Sequence, residues 1–224
     1  MHRTLWSLYP SPQQVAHAAC QRILATAAAA IRERGHFRLV LAGGTTPEQC
    51  YRLLAQQSAN WSRWHLYFGD ERCLPTDHPE RNSLMVATAL TDQVAIPAAQ
   101  VHSIPAERGA EEAAAAYSAQ LAESLPFDLV LLGMGEDGHT ASLFPGQHHP
   151  PETLAVAVHN APKPPPDRVS LNYTTLARSH EILILVTGAS KREALRRWRA
   201  GEPLPITALS TGGHVTTLVD QACW

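Results

Sequence analysis

Four short apolar runs, each emptying into a glycine-containing polar segment, constrain this chain more than any other feature. They are FRLVL before AGG, WHLYF before GDER, FDLVLL before GMGEDG and ILILV before TGAS. Apolar runs of this length, bounded by glycine, read as buried strands. Alternating with helices, such strands imply a mostly parallel sheet covered on both faces. The helix signals lie between them. Ser11 followed by Pro12 opens a long helix predicted to reach Arg34, where Gly35 stops it. Thr46-Pro47-Glu48 repeats the same cap-then-proline logic. Residues 82–90, 111–124 and 190–199 read as further helices. Residues 101–104, 154–158, 168–171 and 215–219 read as further strands, and residues 69–81 as a polar loop. Pro162, Pro164, Pro165 and Pro166 read as a rigid loop between strands rather than a linker, so residues 1–224 are expected to form one α/β domain.

Composition narrows the function classes. Hydrophobic residues are 45% of the 224 and charged residues 17%, enough apolar material for a packed core. A net charge of -2 gives no basic face for nucleic acid. Cys20, Cys50, Cys73 and Cys223 are widely spaced with no C-x-x-C, which reads as free thiols in a reducing compartment. The N-terminal stretch lacks a signal-peptide core, and no apolar run approaches the ~18 residues of a membrane span. A cytoplasmic protein with neither nucleic-acid nor membrane partners is expected.

In parallel sheets of this kind, ligands bind beyond the carboxyl ends of the strands. The glycines and hydroxyls of Gly43-Gly44-Thr45-Thr46 can cradle an anion at a helix start, or form only a tight turn with a capping threonine. No Gly-Lys-Ser/Thr follows, so this is no Walker A loop. In Gly69-Asp70-Glu71-Arg72, Arg72 can pair with a phosphate and Asp70 can act as a base, against the alternative of a solvated charged loop. The third segment, LLGMGEDGHTASLFPG, fits G-x-G-x-x-G. A dinucleotide loop needs a long helix next, and Pro145-Gly146 forbids it. What remains is His139, either structural or catalytic. A metal site of His139, His148 and His149 fits no usual ligand spacing. Arg168 at a strand start and Lys191 at a helix start add cations to the same edge. No G-x-S-x-G elbow is present, which argues against an α/β-hydrolase.

Taken in order, LAGGTTP, FGDERCLPTDHPERN, LLGMGEDGHTASLFPG, RVSLNY, VTGASKREAL and LPITALS resemble the 6-phosphogluconolactonase family over about residues 39–210. The resemblance implies a Rossmann-like three-layer α/β/α sandwich. It implies hydrolysis of 6-phospho-D-glucono-1,5-lactone to 6-phospho-D-gluconate in the oxidative pentose phosphate pathway, with no cofactor and no metal. The related glucosamine-6-phosphate deaminases share the fold and are the alternative. They typically read D-E-Y and D-G-H-I-A-F-N-E-P, where this chain has Arg72 for the tyrosine and Phe144 for the glutamate that assists ring opening. A non-catalytic sugar-phosphate sensor is a third reading, against which His139 and the intact loops speak.

The expected partner is a small phosphorylated sugar lactone, bound by a monomer or small homo-oligomer. A free imidazole titrates near ~6.5, so a neutral base is abundant at cytoplasmic pH. His139 is expected to be the general base and Asp137 to orient it or bind a sugar hydroxyl. Backbone N–H groups of the glycine loop are expected to meet the oxyanion. Gly43, Gly44, Thr45, Thr46, Asp70, Arg168 and Lys191 are expected to hold the substrate and its phosphate. Arg72 lies close by, contacting either the phosphate or the lactone end.

Overall fold

The computed structural model describes residues 4–209 and 214–224; Ser210, the end of the LPITALS segment, lies outside them. Strand β1 is Leu5–Tyr9, helix α1 Pro12–Arg34, β2 Phe37–Leu41, α2 Thr45–Leu54, β3 Trp64–Phe68, β4 Asp70–Arg72, α3 Asn82–Val86 and β5 Val101–His102. There follow α4 Ala110–Leu121, β6 Phe127–Gly133, β7 Ala155–Val158, β8 Arg168–Leu171, α5 Tyr173–Ala177, β9 Ser179–Val186, α6 Arg192–Arg199, α7 Pro205–Leu209 and β10 Val215–Asp220. No helix among the described residues is long and apolar enough to cross a membrane.

The expected Rossmann-like α/β/α sandwich is what forms. Seven parallel strands make the central sheet, in the order β1-β10-β9-β6-β2-β3-β5, flanked by helices. The chain runs from β2 outward through β3 to β5, returns to β6 beside β2, and then builds the other way. The direction of winding therefore reverses between β2 and β6. In open α/β sheets the ligand crevice lies at that reversal. The loops after β2 and β6 carry Gly43-Gly44 and His139.

Local chemistry explains the longest helix. Ser11 caps α1 by accepting from the Gln14 N–H, and Pro12 occupies the first turn, where a missing N–H costs nothing. Val15, Ala16, Ala19, Cys20, Ile23, Ala27 and Ala30 form its buried stripe. Gly35 ends it in the left-handed conformation at φ 79, donating to Ile31 O. At the strand ends remote from the crevice, Arg34 and the Arg38 N–H hold the buried Asp128, while Arg22 and Thr26 hold Glu181.

Several expectations need correction. Helix α2 begins at Thr45, not Thr46, because Gly44 (φ 106) takes the cap position and no side chain caps it. The region 82–90 is helical only as far as Val86 and continues as a wider π-helical turn, Ala87–Thr91. Strand β5 stops at His102. The polar loop 69–81 contains β4, which with β8 and β7 forms a second, antiparallel sheet of three strands. Residues 155–158 and 168–171 thus pair with each other and not with the central sheet.

Candidate active site

Beyond the carboxyl ends of β2, β3 and β6 lies a cleft of about 310 Å³, within the size range of small-ligand sites. Gly43, Gly44, Asp70, Arg72, His139, Arg168 and Lys191 all line it, joined by Asn82, Phe144 and Lys163. Thr45, Thr46 and Asp137 are not among the lining residues.

The loop after β6 is a tight knot rather than the mouth of a nucleotide site. The next helix, α5, starts only at Tyr173, so no helix stands behind the glycines. Gly135 donates to His139 O at 2.7 Å and Thr140 Oγ1 donates to Gly133 O at 2.9 Å. The chain reverses through Gly138 (φ 86) and Ala141 (φ 48). A methyl group at Gly135 would overlap the His139 ring and the Asp137 carboxylate, so this glycine makes room for a side-chain pair. Ser142 ties the loop to the small sheet, giving its hydroxyl to Asp70 Oδ2 at 2.6 Å and its N–H to Ser170 Oγ at 3.2 Å.

Asp137 and His139 do face each other. Oδ1 of Asp137 lies 2.5 Å from His139 Nδ1 and also accepts the His139 backbone N–H at 3.1 Å. Partial burial opposes the charge on Asp137, but those two interactions outweigh it and hold the carboxyl below its ordinary range. An ionised carboxylate only accepts, so Nδ1 is the donor, and in the neutral imidazole the lone pair then lies on Nε2. The Phe144 ring packs against the imidazole at 4.6 Å between centroids, and Arg168 lies 5.7 Å from the same ring. An apolar wall therefore stands where a third acid/base group would otherwise fit.

The cations are arranged by the small sheet and its loop. Arg72 and Arg168 are register partners across β4 and β8. Arg72 Nη1 donates to Glu80 O and to Asn82 Oδ1, and its Nε is buried without a partner. Arg168 donates to the carbonyls of Lys163, Pro164 and Pro165. Backbone carbonyls hold both guanidiniums, with Asn82 Oδ1 also on Arg72, and neither has a salt bridge among the described residues, which leaves their charge for a ligand. Burial pushes Lys191 below its ordinary value, with Lys163 adding to that and Glu136 and Asp137 opposing it. Behind this row, buried Glu71 accepts from the N–H groups of Arg72, Asn82 and Ser83 and pairs with buried Arg81 at 3.2 Å.

Three expected roles change. Asp70 is buried and accepts from Ser142 and Asn82, so it braces the loops instead of standing free for substrate. The Thr46 hydroxyl lies 2.6 Å from the Thr187 hydroxyl, bridging α2 to the end of β9, and Thr45 is the exposed member of the pair. The N–H groups of Gly135, Gly138 and His139 are spent within the loop and cannot meet an oxyanion. The sequence assigns no role to Lys163, Asn82 or Ser142, although the last two lie within the segments FGDERCLPTDHPERN and LLGMGEDGHTASLFPG. Asn82 fills the space at Gly43, where a Cβ would collide with its side-chain amide.

Comparison with known proteins identifies the family. The model of the family described as glucosamine-6-phosphate isomerases/6-phosphogluconolactonase matches residues 10–218. A 6-phosphogluconolactonase of Mycobacterium leprae is 36% identical over 228 residues, covering 94% of this chain and 92% of that protein. Another, of Synechocystis sp., is 38% identical over 208 residues, covering 86% and 85%. The structure of 6-phosphogluconolactonase from Trypanosoma brucei matches with a TM-score of 0.90 at 27% identity, covering 100% of this chain and 98% of that one. The chain belongs to the glucosamine-6-phosphate isomerase/6-phosphogluconolactonase family.

Proposed function

We propose that this protein hydrolyses 6-phospho-D-glucono-1,5-lactone to 6-phospho-D-gluconate, a lactonase step of the oxidative pentose phosphate pathway. The observation that carries the reading is the Asp137–His139 pair, Nδ1 against the carboxylate, in a cleft that also collects Arg72, Arg168, Lys191 and Lys163. Phe144 against the imidazole favours hydrolysis over deamination, because a phenyl ring cannot assist the opening of an amino sugar.

In the proposed sequence His139 Nε2 takes a proton from water as the water oxygen bonds to C1 of the lactone. The carbonyl π electrons move to oxygen, giving a tetrahedral oxyanion. Collapse breaks the bond between C1 and the ring oxygen, and His139 returns the proton to that oxygen. Asp137 keeps the ring oriented and stabilises the transient imidazolium. The phosphate, with roughly -1.5 to -2 charges, is held by Arg168, Lys191 and the N–H groups of Gly44, Thr45 and Thr46 at the start of α2. Anchoring this remote group places C1 beside Nε2, which is where binding energy becomes rate.

The test is turnover of freshly made phosphorylated lactone, followed by coupled oxidation of the product with 6-phosphogluconate dehydrogenase. Turnover above spontaneous hydrolysis is expected, with no ammonia released from glucosamine 6-phosphate. Ammonia release without lactone turnover would replace the lactonase reading with the deaminase one.

A further inference from the structure

Lys163 belongs to none of the polar segments at the strand ends, yet it lines the cleft beside Pro164, Arg168 and Lys191. It is carried by the proline loop, residues 161–167, between β7 and β8. Arg168 grips that loop by its backbone: Nη2 donates to Lys163 O at 2.9 Å and Pro164 O at 3.1 Å, and Nε donates to Pro165 O at 3.1 Å. The main chain of Lys163 is therefore tied to a guanidinium in the cleft, while its ammonium reaches across to Glu136 at 3.2 Å. Glu136 immediately precedes Asp137. Lys163 first, then Ser190 and Lys191, hold its carboxyl below the ordinary range. One carboxylate thus stands between lysines from two different loops.

The pair is built to be exchanged. Its side chains are 60% and 49% exposed, and ion pairs so exposed are weak. A phosphate monoester brings nearly twice the charge of a carboxylate and three acceptor oxygens. Entering a cleft that already holds Arg168 and Lys191, it competes with Glu136 for the Lys163 ammonium and relieves the repulsion between the two lysines. Glu136 is then released toward solvent.

We propose that Lys163 is a further phosphate ligand, parked on Glu136 in the free protein and handed to the substrate on binding, so that the Glu136–Lys163 pair latches the proline loop to the His139 loop. The inference rests on the lactonase reading for the identity of the phosphate, and its test separates the two. Lys163→Gln is expected to raise KM for the phosphorylated lactone about tenfold with kcat changed less than about threefold, and Lys163→Arg to restore most of it. Glu136→Gln removes the competitor and is expected to lower KM about threefold, while the double variant matches Lys163→Gln. The dissociation constant of inorganic phosphate, measured by calorimetry, is expected to follow the same order without any turnover. Unchanged KM and phosphate affinity in Lys163→Gln overturn the proposal. So does a KM in Glu136→Gln raised as far as in Lys163→Gln, which makes Glu136 a support of the loop and not a competitor. Phosphate affinities in the expected order, with no lactone turnover by the wild type, leave the latch standing and remove the lactonase.

Discussion

The two sheets serve the cleft in opposite ways. The central sheet is parallel, its core strands buried, and it contributes no functional side chain from within a strand. It offers the loops at its strand ends: Gly43-Gly44 after β2, His139 after β6, Lys191 after β9. The small sheet is antiparallel with a charged edge strand, β4, and two of its functional groups, Arg72 and Arg168, sit opposite each other in the strand register itself. The first places the base by apolar packing and a glycine turn, and lends the phosphate site the start of α2 and Lys191. The second places cations by hydrogen bonds to carbonyls and by a buried ion pair. Chemistry and anion recognition should therefore fail separately.

The widest separation is expected at His139. Replacing it by Ala should lower kcat by about 10²–10⁴-fold, with the thermal unfolding curve unchanged. Near-wild-type turnover, corrected for spontaneous hydrolysis, would remove the imidazole from the chemistry and dissolve the contrast between the sheets. Next comes the ion pair beneath the small sheet. Arg81 and Glu71 side chains are only 3% and 1% exposed, and Glu71 also receives three backbone N–H groups. Glu71→Gln leaves buried Arg81 with only the partly exposed Glu107, at 3.3 Å, as its carboxylate partner, at an expected cost of about 3 kcal/mol in urea unfolding. A loss below about 1 kcal/mol would mean that packing holds this sheet as it holds the other.

The same contrast explains what the sequence discloses. Residues 37–41 and 64–68 are legible to the residue because an apolar run ends where its glycine begins. Strand β4 reads as polar loop because its burial depends on Asn82, Arg81 and Ser142, which periodicity cannot bring near it. Strand β1 escapes notice because it lies at a sheet edge with Leu5 and Leu8 exposed. His139 stands out through the glycines around it. Its contact with Asp137 does not follow from a spacing of two; it follows from the turn closed by Gly135 N–H on His139 O. Lys163 is illegible because its place in the cleft is set by Arg168 gripping the loop backbone.

A smaller effect is expected at Gly135, whose Cα lies under the Asp137–His139 pair. Gly135→Ala must displace the imidazole or the turn, and a shift near 1 Å costs about 10²-fold in kcat. KM for the phosphorylated lactone should stay within about threefold, since the small sheet is untouched. A KM change as large as the kcat change would show that the two sheets position the substrate jointly.

The smallest expected effect belongs to the small sheet alone. His159 closes the base of the proline loop, with Nδ1 2.7 Å from Asp167 and Nε2 3.0 Å from Glu111 on α4. Glu111 and then Asp167 raise the imidazole above its ordinary value. A group whose folded-state pKa is raised stabilises fully below its unfolded value, near ~6.5, and loses that contribution as pH rises through the folded value. Stability should therefore fall between about pH 6 and about pH 8.5 by a part that His159→Gln abolishes. Because the side chain is half exposed, that part should not exceed about 1 kcal/mol. Urea midpoints at the two pH values in both proteins give the difference, and the same decrement should persist in His139→Ala, whose imidazole belongs to the other sheet. Equal decrements in wild type and His159→Gln would break the assignment, and a decrement lost in His139→Ala would couple the two sheets after all.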